Sequence, residues 1–253
     1  MRTLAVIPAR LGATRLPRKP LRLLAGRPLV IRVWERVQAM GVAERCIIAT
    51  DSEEVAEAAR QHGAEVALTA SRHPSGTDRV AEVASRAEFA GFDAIVNVQG
   101  DEPFVAAAAV RGAAAMVAGG GFSLGTAAVA AGPEILGDPN VVKVVAADDG
   151  RAMYFSRAAI PFLRDPTDAR QLAGRVWQHL GIYAYTRAAL AQWVALPEHP
   201  LERIERLEQL RPLAAGLAMG VAHIEEPARV GIDTEDDLIR ANAEWTNFNQ
   251  GEN

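Results

Sequence analysis

The chain has 253 residues, with 27 Lys and Arg against 31 Asp and Glu, for a formal charge of −4. Hydrophobic residues make up 49%, charged residues 23%, and the mean hydropathy is +0.02, values that exclude disordered, collagen-like and coiled-coil classes. The acidic balance argues against a protein built to coat nucleic acid or an anionic membrane, and a single cysteine, Cys46, excludes an internal disulfide or a Cys-rich zinc site.

The opening run MRTLAVIPAR is too short in apolar residues for a signal peptide. LAVIP (Leu4–Pro8) reads as a buried strand, and Pro28 followed by LVIRVWERVQAM reads as a helix with Pro at its first position. Cys46–Ala49 is a second strand. Asp51-Ser52-Glu53-Glu54 supplies a cap and first-turn acids for a helix to about His62. Glu65–Leu68 is a third strand, Thr77 or Asp78 opens a helix to about Phe89, and Ala94–Val98 is a fourth strand ending in the turn QGDEP. Strand–helix–strand repeats with short links predict a mostly parallel, doubly wound α/β sheet. Its ligands bind beyond the carboxyl ends of the strands, after Pro8, Ala49 and Val98.

The longest uncharged run, Gly112–Pro133, contains Gly119-Gly120-Gly121 and reads as a helix end, a turn and a strand, not a membrane span. Val141–Ala146 and Gly181–Tyr185 look like strands, with loops over Arg157–Arg175 between them. Pro200–Leu207 starts a helix expected to carry Glu208 and Gln209. Val221–Ile224 returns as a strand, and Thr234-Glu235-Asp236-Asp237 caps a final helix. The expectation is one α/β domain over 1–253 with an inserted, more antiparallel portion at about 130–200, in a soluble cytoplasmic protein.

Four cations, Arg10, Arg15, Arg18 and Lys19, crowd the loop Ala9–Leu21 at the end of the first strand. Cations and exposed backbone N–H groups there suit a polyphosphate, although a solvated basic loop is the plainer alternative. Neither a Walker A loop nor a G-x-G-x-x-G loop is present. Asp101 emerges at the same sheet edge, with Gly100 permitting a backbone bend. Carboxylates beside a phosphate site call for a cation between them, and Mg²⁺ bridges the two groups; otherwise Asp101 or Glu102 caps a turn. Asp233 is either a helix cap or, because Thr234 can do that job, a second metal carboxylate. Ser75-Gly76-Thr77 either caps a helix or meets a base or ribose through backbone groups. Arg157 and His179 flank strand-like runs, where a lone His is more often structural than catalytic. No Ser/His/Asp order or H-E-x-x-H helix supports nucleophilic hydrolysis or zinc catalysis.

The segments IPARLGATRLPRKPL, ATDSEEV, HPSGTDRVAEV, VNVQGDEP, NVVKVV, YFSRAAIP, HLGIYAY, LERIERLEQLR and GIDTEDDL together resemble the 3-deoxy-manno-octulosonate cytidylyltransferase family, from Ile7 to about Leu238. The resemblance implies a nucleotidyltransferase-type fold with a projecting dimerisation portion. It implies transfer of CMP from CTP to 3-deoxy-manno-octulosonate (Kdo) with Mg²⁺, in a homodimer serving lipopolysaccharide synthesis. Carried over by motif, Ala9, Arg10, Arg15 and Lys19 would hold the CTP phosphates. Ser75, Gly76 and Gln99 would lie about the cytidine, and Asp101 and Asp233 would bind Mg²⁺. Arg157, His179, Tyr183, Glu208 and Gln209 would face the sugar acid. Asp101, Asp233, Lys19 and Arg15 would be the catalytic set. A related sugar acid (8-amino-Kdo or a nonulosonate) and a non-catalytic nucleotide-binding regulator are the alternatives. One departure stands out: the family commonly has Gly where this chain has Arg18.

Overall fold

Strand β1 (Thr3–Ala9) is the apolar run TLAVIPA, and six of its seven residues are buried. The computed structural model that contains it describes residues 1–12, 15–226, 229 and 231–250. Ala13 and Thr14 of the basic loop therefore lie outside the described residues. The chain divides into two compact units, Met1–Ala107 with Arg229–Asn253, and Ala108–Ala228.

In the first unit, β1 leads through the basic loop to a small antiparallel ribbon, β2 (Leu23–Leu24) and β3 (Arg27–Pro28). Helix α1 (Leu29–Met40) follows. Its N-cap is Pro28, so the first helical residue is Leu29, one later than the sequence suggests; Pro28 keeps an extended ψ of 139° because it still pairs in the ribbon. Strand β4 (Arg45–Thr50) is buried from Cys46 onward. Helix α2 (Glu53–Gln61) is capped by Ser52, whose side chain accepts from the Val55 amide. Strand β5 (Glu65–Leu68) precedes helix α3 (Gly76–Ser85), which starts one residue before Thr77 because Ser75 is the cap. The helix stops at Ser85 and does not run to Phe89: Arg86 turns extended, and Ala87–Phe89 forms a separate 3-10 turn. Strand β6 (Ala94–Asn97) completes the set. The order β6-β1-β4-β5 is parallel throughout, which puts the ends of β1, β4 and β6 on one edge.

The second unit holds α4 (Ala107–Ala118), β7 (Leu124–Ala130), β8 (Lys143–Ala146), β9 (Ala152–Ser156) and β10 (Trp177–Thr186). Helix α5 (Arg187–Ala195) follows, then α6 (Pro200–Glu205), α7 (Leu210–Ala214) and β11 (Met219–Ile224). Here β7 pairs parallel with β11 but antiparallel with β10, and β8 pairs antiparallel with β10 and β9. The predicted loop over Arg157–Arg175 contains a 3-10 turn, Pro166–Leu172, started by an Asp165 cap. The helix expected to carry Glu208 and Gln209 is broken. Arg206 turns left-handed at φ 54°, ending α6, and Glu208 and Gln209 occupy the turn before α7.

The last helix, α8 (Glu235–Gln250), belongs to the first unit. Its residues Leu238, Ala241 and Trp245 share one apolar cluster with Leu16, Leu24, Leu29, Phe104 and Ile232. That cluster ties the basic loop, the turn after β6 and the entrance to α8 together. Among the described residues no helix is long and apolar enough to cross a membrane.

Candidate active site

In the first unit, a cavity of about 400 Å³ opens at the ends of β1 and β6 and the start of α3. Every nucleotide-site residue named from sequence lines it: Ala9, Arg10, Arg15, Lys19, Ser75, Gly76 and Gln99, with Asp101 and Asp233 beside them. Close packing shapes its floor. A Cβ on Gly100 would stand 2.7 Å from the Pro8 carbonyl, so this position excludes a side chain by backbone approach. Gly100 is not among the positive-φ glycines, so it is this close approach that resists a side chain at the bend.

Asp101 and Asp233 converge on one ammonium. Lys19 Nζ donates to Asp101 Oδ2 and, at 2.7 Å, to Asp233 Oδ1. Burial works against the Lys19 charge, but the Asp101 charge and the hydrogen bonds to Asp101 and Asp233 outweigh it, so its pKa lies above the ordinary value. Arg15 Nη2 reaches the other oxygen of Asp233 at 2.8 Å. A backbone bond explains how carboxylates so distant in sequence meet: the Ile232 amide donates to the Asp101 carbonyl at 3.0 Å. Helix α8 does not need Asp233 as a cap. Thr234 Oγ1 accepts from the Asp237 amide, and Asp237 Oδ2 accepts from the amides of Asp233 and Thr234.

Two carboxylates already gathered on one cation form the hard-oxygen donor set that Mg²⁺ takes. Among the described residues no group of three or more His, Cys, Asp or Glu could hold a metal. A divalent ion here would draw its remaining ligands from phosphate and water, as Mg²⁺ commonly does. The sequence offers Glu102 only as a turn cap. The residue keeps some surface, yet its carboxyl is deep, and burial first, then the Asp101 charge, push its pKa up to about 8.

The remaining first-unit residues have defined local roles. Ser75 both accepts from the Asp78 amide and donates to Asp78 Oδ2 at 2.6 Å, so its hydroxyl serves as a helix cap. His73, also on the cavity, pairs with Glu82. Arg79 is 3% exposed, lines the cavity, and pairs with Asp51 and Thr69. Arg18 has a left-handed backbone, φ 57° and ψ 29°, and its side chain pairs with Glu54 on α2. That backbone is the physical reason Gly suits this position.

The second unit holds the residues assigned to the sugar acid. Arg157 is clamped from several sides: its Nε donates to the Glu205 carbonyl at 2.8 Å, its Nη1 to the Pro139 carbonyl at 2.9 Å, and its amide to Glu205 Oε2 at 2.9 Å. Its own carbonyl accepts from Lys143. The Lys143 ammonium also donates to the carbonyls of Asp138 and Val141, at 2.8 and 2.7 Å. His179 packs edge-on against Phe155 and tilts against Tyr183 at 5.6 Å; burial holds its pKa down to about 3. Tyr183 packs edge-on against Trp193. The turn carrying Glu208 and buried Gln209 is held by Arg211, which grips Glu202 through two bonds of 2.8 and 2.6 Å.

Comparison with known proteins gives the same direction from the whole chain. A family model described as cytidylyltransferase matches residues 4–222. The 3-deoxy-manno-octulosonate cytidylyltransferase of Gemmatimonas aurantiaca is 62% identical over 97% of this chain and 95% of the relative. The protein of the same name from Xanthomonas campestris pv. campestris is 47% identical over 95% of this chain and 98% of the relative. Among solved structures, CMP:2-keto-3-deoxy-manno-octonic acid synthetase complexed with CTP superposes with a TM-score of 0.89 at 33% identity, covering 98% of this chain and 99% of that one. The 4-diphosphocytidyl-2C-methyl-D-erythritol synthase of Anaerococcus prevotii superposes with a TM-score of 0.60 at 14% identity over 97% of this chain and 98% of that one, a likeness of fold alone.

Proposed function

The chain belongs to the 3-deoxy-manno-octulosonate cytidylyltransferase family, and we propose how its residues move CMP from CTP to the anomeric hydroxyl of Kdo, releasing pyrophosphate. The observation that carries the residue assignment is the pair Asp101 and Asp233 meeting on one cation beside a basic cavity. Arg10, Arg15 and Lys19 hold the CTP phosphates, with the Ala9 backbone beneath them. Ser75, Gly76 and Gln99 border the cytidine. Asp101 and Asp233 would hold Mg²⁺, which would polarise the α-phosphorus and lower the pKa of the attacking hydroxyl.

The hydroxyl oxygen forms a bond to the α-phosphorus, the bridge to the β-phosphate breaks in line, and the hydroxyl proton passes to water. Lys19, whose raised pKa keeps it charged, and Arg15 offset charge growing on the leaving pyrophosphate. Arg157 takes the sugar carboxylate. Its Nε and Nη1 already donate to carbonyls, so the guanidinium is oriented before substrate arrives, and among the described residues no hydrogen bond takes its Nη2 group from the ligand. His179, Tyr183, Glu208 and Gln209 contact the rest of the sugar acid.

The reaction belongs to the cytoplasm, where CTP is available, and the active form is a homodimer. A single species of monomer mass by light scattering would remove the dimer.

The test of the reaction is pyrophosphate release from CTP with a panel of sugar acids. Kdo is expected to give the highest kcat/KM. Faster turnover of 8-amino-Kdo or a nonulosonate would reassign the substrate, and CTP binding with no turnover of any sugar acid would make the chain a nucleotide-binding regulator.

A further inference from the structure

Thr126 lies on β7 with no exposed surface. Its hydroxyl oxygen stands 2.7 Å from the Ile182 carbonyl and 2.9 Å from His179 Nε2. A carbonyl can only accept, so the single hydroxyl hydrogen goes to Ile182. A lone pair is then what the hydroxyl offers His179, and Nε2 must be the donor. The backbone makes this arrangement possible: the β7–β10 register slips between His179 and Tyr183, at the stretch that carries Ile182.

A neutral imidazole has one N–H. With that hydrogen on Nε2, Nδ1 keeps its lone pair. Burial holds the ring uncharged at neutral pH. Among the described residues no hydrogen bond reaches Nδ1, and His179 retains 8% exposure.

We propose that Thr126 is a positioning residue that locks His179 as the Nε2–H tautomer, so that Nδ1 accepts a hydrogen bond from a hydroxyl of the sugar acid. The inference rests on the reading that His179 contacts the sugar acid, and it deepens that reading by naming the atom and the polarity of the contact. A hydroxyl donates to Nδ1, whereas a keto group or an ether oxygen at that point has nothing to donate. The site therefore selects for the sugar acid that carries a hydroxyl there.

The experiment uses the full chain labelled with ¹⁵N and long-range ¹H–¹⁵N correlation of the imidazoles. The expected spectrum shows a protonated Nε2 and a lone-pair Nδ1 for His179. Kdo added with a non-hydrolysable CTP analogue should move the Nδ1 signal. Thr126→Val should raise the KM for Kdo about tenfold while leaving the KM for CTP within about twofold, and Thr126→Ser should restore the wild-type value. A proton on Nδ1 in the unliganded protein overturns the proposal, and so does an Nδ1 signal unmoved at saturating Kdo. In the second case, normal turnover would show that the family reaction stands and only the His179 contact fails. Loss of turnover in the wild type would instead count against the proposed function. If Thr126→Val does not fold, the wild-type spectrum decides alone.

Discussion

The two units fasten their key lysines in opposite ways. In the first, Lys19 is held by the carboxylates of Asp101 and Asp233, with side chains 31% and 45% exposed. In the second, Lys143 is wholly buried on three main-chain carbonyls. A carboxylate pair open to solvent can exchange one cation for another. Carbonyls that are part of the backbone make a fixed fastening, which suits a lysine that anchors Arg157. The first arrangement is chemistry in waiting, and the second is scaffold.

Substitutions at Asp101 and Lys143 would break or sharpen that contrast, and a pH series at Glu82 and substitutions at Arg18 test smaller features of the first unit. Asp101→Asn should leave folding intact and cut turnover by at least ~10², because a metal term is worth several kcal/mol; near wild-type turnover would take the metal role from Asp101. Lys143→Met should act differently. It strips three carbonyls of their donor, lowering stability by about 1–3 kcal/mol, and it should raise the KM for Kdo with little change for CTP. Equal effects on the two substrates would show that Lys143 does not serve Arg157.

The pH series concerns Glu82. Burial raises its pKa, but the bonds from His73, the Ala70 amide and Arg86, with the His73 charge, outweigh it and hold the group at about 2. A depressed carboxylate pKa contributes stability that is present above the unfolded value, near 4.5, and is lost as pH falls toward 2. Glu82→Gln should therefore flatten denaturation midpoints between about pH 5 and 2. An unchanged acid limb would count against these bonds.

The smallest effect belongs to Arg18. Its left-handed backbone costs about 1 kcal/mol, and its exposed pair with Glu54 returns little. Arg18→Gly should match the wild type in turnover. Arg18→Ala keeps the strain and loses the pair, so it should be less stable than Arg18→Gly by about 1 kcal/mol; the reverse order would contradict the assigned backbone.

Much of the parallel unit was legible because apolar runs such as Leu4–Pro8 and Cys46–Ala49 alternate with capped helices. Boundaries drifted where local chemistry competes, as at Pro28, which pairs in a ribbon while capping α1. The break at Arg206 was invisible, since nothing in LERIERLEQLR announces a left-handed arginine. Site residues could be nominated by type and by strand end, but their meeting could not. The bond from the Ile232 amide to the Asp101 carbonyl is a long-range contact with no local signature. Glu102 could be read from the sequence only as a turn cap, because its raised pKa comes from burial and neighbouring charge, not from its place in QGDEP.

The most direct measurement is a Mg²⁺ titration of pyrophosphate release, from CTP and Kdo, by the wild type and by Asp233→Asn. Shared coordination by residues 101 and 233 predicts no release under chelator and, in the variant, a half-saturating Mg²⁺ concentration raised at least ~10-fold or turnover lost outright. Release that persists under chelator, or a variant titrating like the wild type at full rate, would contradict it.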